Sequence, residues 1–447
     1  MKIPPVKGTR DFYPAEMAVR NFIIDGWKKV SIRNGFEEFD SPILEHLQMF
    51  TLKSGDEIVE QLFSLKDRGG RDLALIPEMT PSLARMVNQR INSLPKPIKW
   101  FSVPRLFRAE RPQKGRLREF FQWNIDIIGT DSIVADAEII FATLDYLQYT
   151  GLTSKDIVMK ISSRKLLSAA LKAYSIPDEK LDEMYSLLDK KAKLPPVTFH
   201  QMLTEKVKDK SIAKNIICFM EIDKISEIKK YVPISDSVNE ALDELAMNIH
   251  YVNEMGVSEF CRFDPSIVRG LAYYTGIVFE VHALSSELRA ICGGGRYDNL
   301  LKDFGGTDIP AVGMGMGDCI LEILLAEKGL LEKQLPKSTL DYFVVPAGVM
   351  TFDSEDGTVK TTAEDEVVKL TAQLRRLGYK ADFSYKSTGL SKQLQEASSR
   401  NAKNCIIIGE EFKNKIIVIK DMQTGSQINV NLDTFLSELN LGANHAK

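Results

Sequence analysis

Arg269 and the pair Tyr273 and Tyr274 stand at the head of the segment RGLAYYTGIVFE, which continues as an alternating run of β-branched and apolar residues. The alternation predicts a half-buried strand. A guanidinium fork matches the geometry of a phosphate or a carboxylate, so an arginine in this place favours an anionic ligand. The structural alternative is a strand that begins at a surface turn, with Arg269 solvated and the tyrosines as amphipathic edge residues. The other motifs decide between these interpretations.

The segment from Arg105 to Arg118, RLFRAERPQKGRLR, holds six basic residues and a single acid, Glu110. The whole chain has a formal net charge of −3, so this segment concentrates positive charge in a nearly neutral protein. Such a patch is typical of a site for a polyanion, for example a phosphate chain. The alternative is a solvated charge run in a hairpin loop.

Two predicted strands, in VPRLFRAE and REFFQWNIDIIG, flank the basic loop. In the first strand, a period of two places Arg108 and Glu110 on one face. In the second strand, one face carries Phe120, Gln122, Asn124 and Asp126, and the other carries Phe121, Trp123, Ile125 and Ile127. A structural antiparallel sheet also alternates in this way. An arginine, two carboxylates, two amides and a ring on converging faces nevertheless favour a binding site.

The elements before these strands would supply further polar groups. Residues 15–34 are predicted to form a long helix that ends at an Asn-Gly pair and leads into a strand. Residues 63–90 predict a hairpin that turns near DRGGRD, followed by a helix with Thr80 as its N-cap and Pro81 at its first position. Glu78 and Thr80 are therefore expected at a helix N-terminus.

The second half of the chain changes character twice. Residues 163–257 show helical periodicity with many lysines and glutamates, which predicts a helical insertion between two halves of one sheet. Strand patterns then return, and the triple glycine at 293–295 predicts either a close approach of backbone to a ligand or neighbouring element, or a tight turn. From residue 340 onward, strands alternate with helices, which predicts a small α/β domain with a mostly parallel sheet. It has no glycine-rich phosphate loop, so nucleotide binding is not expected there.

Length and composition exclude several classes of protein. A chain of 447 residues exceeds what one hydrophobic core usually supports, so two or three domains are expected. No apolar run approaches the ~20 residues of a membrane span, and the start shows no signal or transit pattern. The five cysteines are odd in number and far apart, which favours a reducing compartment. The five histidines are also scattered, so no protein-ligated metal site is expected. A cytoplasmic protein with no membrane partner is the resulting prediction.

Several motifs together resemble the histidyl-tRNA synthetases, which are class II aminoacyl-tRNA synthetases: KGTRDFYP, FRAERPQKGRLREFFQ with Asp126 downstream, RGLAYYTGIVFE and GGGRYDNLL. The resemblance spans nearly the whole chain. It implies an α/β protein whose α+β catalytic domain, residues 1–325, has an antiparallel sheet flanked by helices and carries the helical insertion. It also implies a linker at 326–339 and an anticodon-binding-like α/β domain at 340–447.

The resemblance implies that the protein binds ATP, with Mg²⁺ on the pyrophosphate side. Arg269 would stand beside the α-phosphate and the histidine carboxylate, and Arg108 would grip the same two groups. Both arginines are the implied catalytic residues. Glu110 would read the adenine amino group, and Phe120 would stack on the ring. Arg116, in the basic loop, would hold the outer phosphates.

The implied histidine-binding residues are Glu78, Met79, Thr80, Gln122, Asp126, Arg269, Tyr273 and Tyr274. Glu78 and Thr80 would take the α-ammonium group, and Gln122 the region of the carboxylate. Asp126 with Tyr274 would bind the imidazole nitrogens, which discriminates by hydrogen bonding more strongly than pocket size does. The implied reaction is formation of histidyl-adenylate and transfer of histidine to the 3′ end of tRNA(His).

The sequence departs from the family pattern at three positions. Ile76 and Ala272 replace a usual arginine and a common aspartate, and Ile320 stands where an arginine normally packs on adenine. The alternative function is a synthetase paralogue that does not charge tRNA and acts as the regulatory subunit of ATP phosphoribosyltransferase. A third hypothesis, a nucleic-acid-binding module without catalysis, has only the basic loop in its favour. Members of this class form homodimers, and Phe36, Phe39 and Ile43 are expected to supply apolar area to that interface.

Overall fold

The computed structural model describes residues 3–51, 62–191, 194–269, 273–285, 288–335, 340–353 and 360–445. They belong to two compact units, Met1–Gln334 and Leu335–Lys447. The strands of the first unit are β1 Glu37–Glu38, β2 Leu44–His46, β3 Ser64–Lys66, β4 Asp72–Leu75, β5 Ile98–Ser102, β6 Arg105–Phe107, β7 Glu119–Ile128, β8 Ile157–Ser163, β9 Cys261–Phe263, β10 Ile277–Ala283, β11 Cys292–Arg296 and β12 Ala311–Gly317. Its helices are α1 Pro14–Arg33, α2 Gln48–Thr51, α3 Thr80–Arg90, α4 Ile133–Tyr149, α5 Arg164–Ala173, α6 Leu181–Leu188, α7 Pro196–Val207, α8 Lys210–Phe219, α9 Ile228–Tyr231, α10 Asp236–Glu254, α11 Leu300–Asp303, α12 Asp318–Glu327 and α13 Leu330–Gln334.

A nine-stranded sheet forms the centre of the first unit, in the order β1-β5-β7-β12-β11-β10-β8-β9, with β6 also paired to β7. The pairings from β5 through to β8 in that order are antiparallel. The two outermost pairings, β1 with β5 and β8 with β9, are parallel. The predicted antiparallel sheet flanked by helices is confirmed, and parallel pairs extend it at both edges.

The apolar face of β7 fixes the orientation of its polar face. Trp123 is fully buried and stacks on Trp27 of α1, with the ring centroids 6.4 Å apart. Tyr146 of α4 meets the edge of Trp123 at 5.3 Å. The indole N–H of Trp123 donates to Ser31 Oγ at 2.8 Å, so its polar atom is satisfied inside the core. Because side chains alternate along a strand, this packing turns Gln122, Asn124 and Asp126 to the opposite side.

The elements before β5 follow the prediction with one change. β3 and β4 form the predicted hairpin, and β2 pairs with the other edge of β4. Thr80 is the first residue of α3 and not its cap, and Met79 before it makes no side-chain capping bond. Pro81 lies in the first turn, where its missing N–H costs no helix hydrogen bond.

The apolar residues expected at a dimer interface are mostly buried within the chain. Phe36 and Phe39 are 3% and 9% exposed, because they pack beside β1 in the core. Ile43 is 45% exposed, and Leu44 of β2 and Leu65 of β3 are also exposed. Of the three residues that were expected to supply apolar area, only Ile43 remains available.

The helical insertion is confirmed, since α5–α10 all lie between β8 and β9. The predicted linker at 326–339 is partly helical, because α12 ends at Glu327 and α13 occupies Leu330–Gln334. Among the described helices of both units, none is long and apolar enough to cross a membrane.

The second unit is a five-stranded sheet with helices. Its elements are β13 Leu340–Pro346, β14 Thr351–Asp353, β15 Lys360–Thr362, α14 Ala363–Arg376, β16 Ala381–Phe383, α15 Leu390–Ser399, β17 Ala402–Ile408, β18 Ile416–Asp421, β19 Gln427–Asn431 and α16 Leu432–His445. The sheet order is β16-β13-β17-β18-β19, while β14 pairs with β15 alone. β13 is parallel to β16 and β17, but β18 is antiparallel to both of its neighbours, β17 and β19. The predicted mostly parallel sheet is therefore wrong for this half. The connection from β17 to β18 holds one 3₁₀ turn, and a parallel crossover needs about a dozen residues or more.

Candidate functional site

A cavity of about 320 Å³ opens on the polar side of β7, β11 and β12. This volume lies within the usual range for small-molecule sites. The structure brings ten of the sequence-predicted residues together in its wall: Glu78, Thr80, Arg108, Arg116, Phe120, Gln122, Asp126, Arg269, Tyr273 and Tyr274. These side chains come from segments distant in sequence, so the sheet itself assembles the site.

Glycines of β12 make room for the polar side chains of β7. Gly313 lies opposite Asp126 in the antiparallel register. A Cβ atom at Gly313 would lie 2.0 Å from Asp126 Oδ1, and one at Gly315 would lie 2.2 Å from Gln122 Nε2. Any side chain at these two positions would displace the groups that are predicted to bind histidine. The run GMGMG is therefore a floor for the cavity, with its methionines alternating between the glycines.

Asp126 and Tyr297 are buried and form one polar group in the cavity wall. The Tyr297 hydroxyl donates to Asp126 Oδ1 at 2.5 Å. Burial raises the pKa of Asp126 to about 7, although the Tyr297 hydrogen bond opposes the shift. Tyr297 was missed as a site residue from sequence, although its motif GGGRYD had been recognised. A carboxylate that titrates near neutral pH beside a buried hydroxyl can bind a ring N–H.

Glu78 and Arg108 form the next group of charges, near the N-terminus of α3. Burial raises the pKa of Glu78, and the nearby Arg108 partly offsets this. Burial lowers the pKa of Arg108, and Glu78 and Tyr273 oppose that shift. Arg108 Nε donates to the Pro77 carbonyl at 3.0 Å, and its guanidinium lies 5.0 Å from the centre of the Phe120 ring. The arginine is thus held beside the one aromatic ring that was predicted to stack on a base.

The basic loop after β6 has a different geometry from the one predicted. β6 ends at Phe107, so Arg108 and Glu110 lie beyond the strand and do not share a strand face. Glu110 is not in the cavity wall, and its carboxylate pairs with Arg116. A Cβ atom at Gly115 would lie 2.1 Å from Ile320 Cδ1, so the loop backbone rests directly on the isoleucine.

Met79 and the residues that depart from the family pattern differ in whether they reach the cavity. Met79 does not line the cavity, since its side chain is 1% exposed and accepts a hydrogen bond from Ser41 Oγ at its sulfur. Ile76, which replaces a usual arginine, is fully buried in the same core cluster. Ala272 lies outside the described residues. Ile320 does line the cavity and is 7% exposed.

Arg269 has a backbone and a side chain that are both constrained. Its φ of +60° lies in the left-handed region, which is unusual for a residue other than glycine. Its Nη1 donates to Glu280 Oε1 at 2.6 Å. Burial lowers the pKa of Arg269, but Tyr274 and Glu280 raise it above the ordinary value. A Cβ atom at Gly293 would lie 2.3 Å from Arg269 Nη1, so the first of the triple glycines makes room for the guanidinium.

No metal cage is present among the described residues, where no group of three or more His, Cys, Asp or Glu side chains could hold an ion. All five cysteines are free thiols. The cavity can bind anions through its arginines, a cation through Glu78, and a ring donor through Asp126. It is thus equipped for a zwitterionic amino acid next to a phosphate.

Two family models match the chain. The model for "Histidyl-tRNA synthetase" matches residues 8–317, and the model for "Anticodon binding domain" matches residues 343–440. The "Histidine--tRNA ligase" of Haloquadratum walsbyi is 37% identical over 437 residues, which is 96% of each chain. The "Histidine--tRNA ligase, chloroplastic/mitochondrial" of Arabidopsis thaliana is 36% identical over 432 residues, covering 96% of this chain and 85% of that protein.

Solved structures share the fold. The crystal structure of histidyl-tRNA synthetase from Nostoc sp. has a TM-score of 0.81 at 24% identity, and 99% of each chain is covered. An "ATP phosphoribosyltransferase regulatory subunit/histidyl-tRNA synthetase" from Bacillus halodurans has a TM-score of 0.71 at 23% identity, covering 92% of this chain and 98% of that one. The fold alone therefore does not separate a ligase from a regulatory subunit.

Proposed function

The chain belongs to the histidyl-tRNA synthetase family, and on that premise we propose that it is a histidine–tRNA ligase, an enzyme that joins L-histidine to tRNA(His) at the expense of ATP. The observation that carries the proposal is the convergence of the predicted histidine and ATP groups on one cavity. The match of residues 343–440 to an anticodon-binding model supports the ligase over the regulatory subunit, because the resemblance implies that such paralogues lack this domain.

Histidine would bind along β7 with its ring inward. Asp126 would accept a hydrogen bond from the imidazole, next to Tyr274, at the buried end of the cavity. Glu78 and Thr80 would take the α-ammonium group, and Gln122 would approach the carboxylate. A buried carboxylate rejects an apolar amino acid of similar size, because its hydrogen bond would then be unmade.

ATP would bind on the side of the basic loop. Phe120 would stack on adenine, and the Arg108 guanidinium beside that ring would reach the α-phosphate. Arg116 would hold the outer phosphates and Glu110 would read the adenine amino group. Because Glu110 and Arg116 pair with each other in this structure, both roles require the pair to separate when ATP binds.

The first chemical step would be attack of a histidine carboxylate oxygen on the α-phosphorus, with pyrophosphate as the leaving group. Arg108 and Arg269 would neutralise the charge that develops on the α-phosphate oxygens. In the second step a ribose hydroxyl at the tRNA 3′ end would attack the acyl carbon, and AMP would leave. The protein contributes position and charge and forms no covalent bond to the substrate.

Magnesium is part of the proposal only as a companion of ATP. The donor set of the described residues does not fit a cage made by the protein alone. Mg²⁺ usually keeps several waters and binds substrate phosphates with one or two carboxylates. We therefore assign it no protein ligand and no step.

The proposal also covers the binding of tRNA, the quaternary structure and the cellular compartment. We assign the second unit to the anticodon region of tRNA, as its family match supports. A homodimer remains part of the proposal, with the exposed residues Ile43, Leu44 and Leu65 as available apolar area. A cytoplasmic location is supported by five free cysteines, which a reducing compartment keeps unpaired.

The test is ATP–pyrophosphate exchange by the full-length protein with each amino acid in turn. We expect exchange only with histidine, and none in the variant Arg269→Ala, which should still fold, as its circular dichroism spectrum would show. Arg262→Ala is the matched control, because Arg262 is an exposed arginine on β9 outside the cavity wall. Exchange that does not depend on histidine, or normal exchange by Arg269→Ala, would contradict the proposal.

A further inference from the structure

Glu280 is a half-buried carboxylate that has no role in the reaction steps proposed for this chain. It lies on β10, where it stands directly opposite Gly293 of β11 on one side and Lys160 of β8 on the other. Lys160 is engaged by Asp264 at 2.9 Å. Glu280 is not in the cavity wall, so it does not meet a ligand there directly. Its effect on the reaction has to pass through another side chain.

That side chain is Arg269. Glu280 Oε1 accepts from Arg269 Nη1 at 2.6 Å, and Glu280 Oε2 lies 3.1 Å from His282 Nε2. Burial raises the pKa of Glu280, but His282 and Arg269 outweigh burial and bring it down to about 2. Glu280 is therefore a permanent anion at any working pH. A charge-assisted hydrogen bond of this kind is roughly twice as strong as a neutral one.

The backbone before Arg269 is anchored independently. Arg164, at the start of the helical insertion, donates from Nη1 to the Val268 carbonyl at 3.0 Å. The Arg164 guanidinium itself lies 3.4 Å from the centre of the Tyr185 ring. These contacts hold the residue preceding the left-handed turn at Arg269. The main chain and the guanidinium of this arginine are thus fixed by different partners.

Gly293 provides the space for this arrangement. The guanidinium lies so close over β11 that a Cβ atom at Gly293 would be 2.7 Å from Arg269 Cζ. One end of the guanidinium therefore points to Glu280 across Gly293. Its Nε is buried and has no hydrogen-bond partner within the described part of the chain. Arg269 also lines the cavity, so donors remain for a ligand after Glu280 has bound Nη1.

We propose that Glu280 is a positioning residue for adenylate formation, which holds the Arg269 guanidinium across Gly293 so that its remaining donors face the α-phosphate. The inference rests on the proposed function. Glu280 takes one donor and fixes the plane of the guanidinium, and the plane determines where the others point. Without this anchor the side chain would have several rotamers, and a misplacement of about 1 Å can cost roughly 10²-fold in rate.

The test uses the full-length protein and single-turnover formation of histidyl-adenylate. Glu280→Gln keeps the shape and removes the charge, and we expect its rate constant to fall by about 10-fold. Glu280→Ala removes the anchor, and we expect a fall of about 100-fold. The KM values for ATP and histidine should change by less than about 3-fold, because Glu280 touches neither substrate. Glu45→Gln is the matched control: Glu45 is also a carboxylate paired with an arginine, Arg85, and it is buried, but it lies outside the cavity wall.

A double-mutant cycle separates positioning from a merely structural role. In the background of Arg269→Lys, which lacks the fork, Glu280→Gln should lower the rate by less than about 2-fold further. Effects that multiply in the double variant would overturn the proposal, as would a Glu280→Gln enzyme with the wild-type rate. If Glu280→Ala does not fold, the isosteric Glu280→Gln arm still gives the answer. An inactive wild-type protein would overturn the proposed function and this inference together, whereas an active wild type with an unaffected Glu280→Gln overturns the inference alone.

Discussion

Replacing Gly313 by alanine tests whether the floor of the cavity determines histidine recognition. The added Cβ atom would lie 2.0 Å from Asp126 Oδ1 and 2.8 Å from its Cγ, whereas ordinary contact begins near 3.4 Å. The carboxylate must therefore move by more than an ångström, away from the Tyr297 hydroxyl that now donates to it at 2.5 Å. The displaced carboxylate would then be misplaced as the acceptor for the imidazole of histidine, and loss of that buried hydrogen bond costs about 1–3 kcal/mol.

That cost corresponds to a decrease of about 5- to 150-fold in kcat/KM for histidine, since about 1.4 kcal/mol is tenfold. The KM for ATP should stay within about 3-fold of the wild-type value, because Gly313 does not contact Arg108 or Phe120 directly. The assay is histidine-dependent pyrophosphate exchange with either substrate varied. Gly389→Ala is the matched control, since Gly389 has an ordinary φ of −59° and nothing within 4 Å of an added Cβ. A Gly313→Ala enzyme with wild-type kcat/KM for histidine would refute this account of the floor.

Three further predictions follow from the same contacts. Because burial raises the pKa of Asp126 from 3.8 to about 7, the neutral carboxyl stabilises the folded state below pH 4, and this stabilisation is lost as the pH rises through 7. In the variant Asp126→Asn the melting temperature should therefore depend less on pH between pH 4 and 7. A variant with the pH dependence of the wild type would contradict the raised pKa. Ile320→Arg should raise the KM for ATP by about 5-fold or more, because Gly115 rests on the isoleucine and overpacking a filled space costs about 1–3 kcal/mol. A lowered KM for ATP would show instead that an arginine can be accommodated at this position. Truncation from Ser338 onward should preserve pyrophosphate exchange and reduce tRNA charging by about 100-fold, since the second unit would supply a separate contact with tRNA. Equal charging by the truncated and full-length proteins would show that tRNA charging does not need the second unit.

The strand β7 could be predicted from sequence because one physical pattern determines it. The alternation of polar and apolar residues placed Gln122 and Asp126 on the face opposite Trp123. Because the indole is buried against α1, the polar face must point to the other side of the sheet, into the cavity. The same rule failed at Arg108 and Glu110, because β6 ends at Phe107, three residues before the predicted end at Glu110. Strand ends depend on pairing partners, which a local pattern does not contain.

Contacts between segments that are distant in sequence also could not be predicted from local patterns. Glu280 was visible as a polar residue in a strand, but nothing local indicates that a left-handed turn eleven residues earlier brings Arg269 back to it. The antiparallel half of the second sheet was also missed, although the short connection from β17 to β18 already excludes a crossover. Met79 was assigned to the site by its neighbours in sequence, but its side chain, just before α3, is buried in the core.

The most direct measurement is attachment of radiolabelled histidine to tRNA by the full-length protein with ATP and magnesium. We predict that histidine, and no other amino acid, becomes linked to the 3′ end of tRNA(His), and that the Arg269→Ala protein fails to do this although its circular dichroism spectrum shows it to be folded. A folded wild-type protein that forms no histidyl-tRNA at saturating ATP would contradict the ligase assignment, whatever its fold.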